Sequence, residues 1–132
     1  MESVLEIGDR WTHAFSFSQE QVQAFADITG DNNPLHLDAE YAAGTAFKSP
    51  VMHGILGACV FSRVLGTIKP GPKSIYLGQQ LEFKKPLYPG KNYLAVFEAI
   101  SRENKRFKIR TTIQDPETEE ILTDGEAQIR VR

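Results

Sequence analysis

From about His53 to Leu65 the apolar residues Ile55, Leu56, Ala58, Cys59, Val60, Phe61, Val64 and Leu65 fall on every side of a helical wheel. A helix of that kind must be covered on most sides, so the rest of the chain has to wrap it. Beyond Leu65 the chain carries strand signals alone. Ser74 to Phe83 contains Ile75, Leu77, Leu81 and Phe83, and Tyr93, Ala95, Phe97 and Ala99 alternate in the next run. Phe107, Ile109, Thr111 and Ile113 alternate with polar neighbours, as do Ala127, Ile129 and Val131. Pro86 to Gly90, Glu103-Asn104-Lys105 and Asp115 to Glu120 supply the turns. The pattern predicts an α+β protein in which a curved antiparallel sheet lies over one buried helix. Alternating βα units are missing, which disfavours a dinucleotide-binding fold.

Upstream, Trp11, His13, Phe15 and Phe17 alternate as a half-buried strand. Ser18 and Gln21 have capping-box spacing, so a helix is expected with Val22, Phe25, Ala26 and Thr29 on one face and Gly30 at its stop. Gly30-Asp31-Asn32-Asn33-Pro34 is turn chemistry, with Pro34 blocking helix continuation. Asp38 can cap a short helix carrying Ala42, Ala43 and Ala46. No linker or repeat divides the 132 residues, and that length favours a single domain, 1–132.

Charge and composition remove several function classes. Fifteen Lys+Arg against seventeen Asp+Glu leave a net charge of −2, which suggests neither a nucleic-acid footprint nor a polybasic membrane anchor. The longest run free of polar side chains, Gly54 to Phe61, is far short of the ~20 residues of a spanning helix. The acidic start Met-Glu-Ser-Val-Leu-Glu does not read as a signal peptide. A single cysteine, Cys59, excludes an internal disulfide and fits a reducing compartment; its apolar surroundings suggest an inert buried thiol. The expected location is the cytoplasm.

Two stretches can carry chemistry. Asp31 and His36 place a carboxylate and an imidazole across a proline-stiffened loop, a spacing that lets both touch one water or substrate proton. Spacing alone favours the plainer alternative, a turn-capping Asp31 and a hydrogen-bonded structural His36. Ser49-Pro50-Val51-Met52-His53-Gly54 leads into the apolar helix, and the Gly54 amide there is a candidate oxyanion donor. Taken alone, His53-Gly54 is more simply a plain helix start. His36, Asp38 and His53 match no strong zinc spacing, and Asp38 is explained as a cap. The basic run Arg102, Lys105, Arg106, Lys108 and Arg110 reads mainly as a solvated sheet face. Lys48, Lys69, Lys73, Lys84 and Lys85 are scattered cations, some of which could meet phosphates.

Together the two stretches resemble the MaoC-like hydratases, specifically R-specific enoyl-CoA hydratases. The resemblance rests on Asp31-x-Asn33-Pro34-x-His36-x-Asp38, His53-Gly54, Phe61-Ser62, Ser74-Ile75-Tyr76-Leu77-Gly78-Gln79, Phe83-Lys84-x-Pro86 and Pro89-Gly90, in order along nearly the whole chain. It implies a hot-dog fold, a homodimer joined sheet to sheet, and a hydro-lyase acting on trans-2-enoyl-CoA, or on an acyl-carrier-protein thioester, without metal or redox cofactor. It further implies that Asp31 and His36 are the catalytic pair, that Asn33 orders their loop and that the Gly54 amide binds the thioester oxygen. Ser62 would support the pair or line the acyl pocket. A hot-dog thioesterase and a non-catalytic acyl-thioester binding module are the competing functions.

Overall fold

The computed structural model describes residues 5–132. Residues 1–4 of the acidic start lie outside the described residues. Strand β1 (Arg10–Phe15) is followed by helices α1 (Gln19–Thr29), α2 (Pro34–Leu37), α3 (Ala39–Ala43) and α4 (Gly54–Thr67). Strands β2 (Ser74–Phe83), β3 (Tyr93–Glu103), β4 (Arg106–Gln114) and β5 (Ile121–Val131) complete the order.

All five strands form one antiparallel sheet in the order β1-β3-β4-β5-β2. The chain therefore leaves one edge after β1 and reaches the opposite edge at β2, and the helical segment spans the gap. Register shifts at Ala99/Ser101, Tyr76/Gly78 and Ile113/Gln114 add local twist that curls the sheet. Its inner face presents Phe97, Ile109, Ile113 and Ile129, each fully buried, against Phe61, Val64 and Leu65 of α4. Phe61 meets Phe97 edge to face at 5.8 Å, a favoured aromatic geometry.

Local signals explain the small elements. Ser18 Oγ accepts from the Gln21 amide while Gln21 Oε1 accepts from the Ser18 amide, closing the expected capping box. Asp38 Oδ1 accepts from the Glu40 and Tyr41 amides and caps α3. One expectation differs: Pro34 does not simply end helical structure but opens the one-turn α2. Proline suits a first helical position, where its missing N–H would have had no partner.

The wrapped helix also differs from the sequence expectation. It runs to Thr67, and one stripe, Ile55, Cys59 and Ser62, stays exposed with Arg63 beside it. Cys59 is therefore not the buried thiol its neighbours suggested. An apolar wheel reports that all sides need cover, and the sheet covers only part of the circumference. Neighbouring groups still desolvate the Cys59 sulfur enough to push its pKa up, which disfavours the reactive thiolate.

Candidate active site

Gly30 closes α1 in the left-handed region at φ +79, with its amide bonded to the Ala26 carbonyl, and so turns the chain sharply into Asp31. The Asp31 amide donates to Thr29 Oγ1 at 3.2 Å. Asn33 Oδ1 caps α2 by accepting from the Leu35 amide at 3.0 Å, and the His36 amide donates to the Asn33 carbonyl. Gln19 Nε2 donates to the His36 carbonyl. The loop carrying Asp31 and His36 is thus tied at both ends by its own polar groups.

That loop folds back on the start of α4. His36 Nδ1 lies 2.7 Å from the Val51 carbonyl, so Nδ1 carries the hydrogen and Nε2 presents a lone pair. Asp31, His36 and His53 each bring an oxygen or nitrogen within 4.8 Å of the others. The Asp31 side chain is about half exposed and His36 is partly so, so solvent reaches both. Next door, α4 begins at Gly54 with no side-chain cap, and the Gly54 and Ile55 amides have no acceptor among the described residues. Such amides, reinforced by the helix dipole, can stabilise a developing oxyanion.

Beside Gly54 opens a cavity of about 320 Å³ lined by Phe47, Met52, Phe83, Leu87 and Thr123 among others. A Cβ on Gly54 would lie 2.8 Å from the Phe83 ring, so glycine lets that ring close on the helix start. Lys84 and Lys85 also line this cavity, paired with Glu82 at 3.8 Å and Glu120 at 2.6 Å. A larger hollow at the β3–β4 hairpin is lined by Glu103, Asn104, Lys105, Arg106 and Arg130; neither hollow is lined by Asp31, His36 or His53, and only the one beside Gly54 adjoins the start of α4.

The structure brings Asp31, His36 and the helix start together and ties Asn33 into the loop, but leaves Ser62 apart. Ser62 stands two turns beyond Gly54, roughly 12 Å along the axis, and no hydrogen bond among the described residues joins it to the pair. Asp38, which a metal site with the two histidines would have needed, is spent on capping α3, and Asp31 takes its place in the cluster. His36 Nδ1 and His53 Nε2 both carry hydrogens bonded to backbone carbonyls, which suits proton positioning better than metal ligation. Sequence reasoning missed the Val51 carbonyl, since a backbone acceptor leaves no residue signal. It also took His53 for part of a helix start, because the contact with His36 joins residues far apart in sequence.

A curved antiparallel sheet around a helix, with a carboxylate and two imidazoles gathered at the uncapped start of that helix, defines a hydratase-type member of the hot-dog class. The chain belongs to the MaoC like domain family, whose model matches residues 6–121. It is 41% identical over 128 residues to an (R)-specific enoyl-CoA hydratase of Aeromonas caviae, covering 96% of both chains. It is 34% identical to a mitochondrial 3-hydroxyacyl-[acyl-carrier-protein] dehydratase of Arabidopsis thaliana, over 96% of this chain and 77% of that one. The solved structure of an A. caviae (R)-hydratase involved in PHA biosynthesis superimposes with a TM-score of 0.91 at 40% identity, covering 97% of this chain and 98% of the other.

Proposed function

We propose that the protein is an R-specific enoyl-CoA hydratase, adding water reversibly to trans-2-enoyl-CoA to give (R)-3-hydroxyacyl-CoA. The observation that carries this reading is the clustering of the Asp31 carboxylate and the His36 imidazole with His53 at the start of α4, where the Gly54 amide has no acceptor among the described residues. A water between the pair offers one hydrogen to each acceptor. As its oxygen bonds C3, one proton passes to the pair and the alkene electrons move onto the thioester oxygen, where the Gly54 amide holds the enolate charge. The enolate collapses by taking that proton at C2, so one water adds and the pair is restored. Asn33, as cap of α2, keeps the loop in place for both steps. Ser62 would act from the exposed stripe of α4, as support or as acyl lining. The cavity beside Gly54 is of a size for part of the acyl-thioester. A carrier-protein thioester is the other carrier to test.

Incubation with crotonyl-CoA should remove the enoyl absorbance and give the R alcohol by chiral analysis. Release of free thiol instead would identify a thioesterase, and binding without turnover would identify a binding module. Either result would overturn the proposal.

One sheet and one core cluster among the described residues support reading residues 1–132 as a single domain. A homodimer is supported by the exposed apolar face that α4 and edge strand β2 share: Ile55 is 49% exposed, Tyr76 39% and Phe83 52%. Sedimentation at micromolar concentration should give twice 14.8 kDa. Tyr76→Glu should shift the population toward monomer, and a wild-type chain sedimenting as a monomer would remove the dimer. No helix among the described residues is long and apolar enough to cross a membrane. The cytoplasm is the compartment proposed, and the single free cysteine is compatible with it.

A further inference from the structure

Three groups meet at the start of α4, and the hydration scheme uses two. The third, His53, is 2% exposed. Its Nε2–H donates to the Asp31 carbonyl at 2.8 Å. Its ring stacks on His36 with centroids 3.8 Å apart and planes 29° apart, and Phe25 presents an edge to it at 4.9 Å. One imidazole therefore touches both members of the pair: the backbone of Asp31, whose carboxylate Oδ1 lies 3.9 Å from the same Nε2, and the ring of His36.

Nothing in helix construction calls for this side chain. His53 occupies the N-cap of α4 yet makes no capping bond. Its Nδ1 is buried with no hydrogen-bond partner among the described residues, a cost that a phenyl ring in the same slot would avoid. The Asp31 peptide has only one other side-chain tether among the described residues, the Thr29 hydroxyl.

We infer that His53 is a positioning residue for the hydration, an inference that rests on the function proposed above. Its Nε2–H holds the Asp31 peptide while its ring holds the plane of His36, so the carboxylate and Nε2 of His36 keep the separation that one water must bridge. A misplacement of about 1 Å at such a site can cost ~10²-fold in rate.

Two substitutions separate this role from packing. His53→Phe keeps the ring and the stack but removes the donor, whereas His53→Gln loses the ring and can place an amide N–H near the position of Nε2. Steady-state crotonyl-CoA hydration by folded His53→Phe should show kcat lowered ~10–100-fold. KM should stay within about twofold, because the Gly54 amide and the cavity are untouched. His53→Gln should recover most of that loss. A packing role predicts the reverse order, with Phe near wild type and Gln impaired. Wild-type kcat in His53→Phe, or no recovery in His53→Gln, would overturn the inference. Should His53→Phe not fold, His53→Gln decides alone: kcat within about tenfold of wild type supports the role and a larger loss refutes it. Absence of hydration by the wild-type chain would instead overturn the function itself, before any variant is compared.

Discussion

Asp31→Asn is expected to lower kcat for enoyl-CoA hydration by ~10²–10⁴-fold or more with the fold unchanged. The amide matches the carboxylate in size but cannot take the proton of water. The fold should tolerate it, because the hydrogen bonds that anchor Asp31 run through its backbone, to Thr29 Oγ1 and from His53 Nε2, while the carboxylate itself stands 3.9 Å from that Nε2. His36→Ala should cost as much in rate and also lower the melting temperature slightly, since it deletes the bond to the Val51 carbonyl, worth ~1 kcal/mol. The double variant should be little worse than either single one, because both groups act on one water. Ser62→Ala should cost less than either, given its place two turns along α4. Wild-type turnover in a folded Asp31→Asn chain would refute the mechanism.

The largest stability effect is expected at Gly125 in β5. A Cβ there would run into the backbone oxygen of Gln80 and stand 2.8 Å from Gln79 Nε2. The missing side chain lets Gln79 reach from β2 across β5 to Thr111 Oγ1 on β4, a bond of 2.9 Å. Gly125→Ala must push apart strand backbones that cannot swing aside, so a loss near the upper end of overpacking costs, ~3 kcal/mol, is expected. At fixed protein concentration that corresponds to a fall of roughly 10 °C in melting temperature. Gly57→Ala should cost less: its main obstacle is a Leu87 methyl at 2.5 Å, and alanine returns up to ~1 kcal/mol of helix propensity. An unchanged melting temperature for Gly125→Ala would show that β2 and β5 can part without cost.

The sequence alone determined most of the elements and the loop that carries Asp31 and His36. Strand alternation places β2 at Ser74–Phe83 and the sheet after α4, and the Ser18, Asp38 and Gly30 caps mark helix ends, because these signals act between residues close in the chain. The Asp31-x-Asn33-Pro34-x-His36 loop is legible for the same reason, since a turn residue, a cap and a proline shape it from within. Only the tertiary structure decided which side of α4 stays open, because coverage depends on how far a five-stranded sheet can curl around a helix. It also decided that His36 turns Nδ1 to the Val51 carbonyl and that His53 lies against His36 and Asp31. Those contacts arise where the loop before α2 folds back onto the start of α4, and no local periodicity or capping rule reports on segments that meet only when the chain is packed.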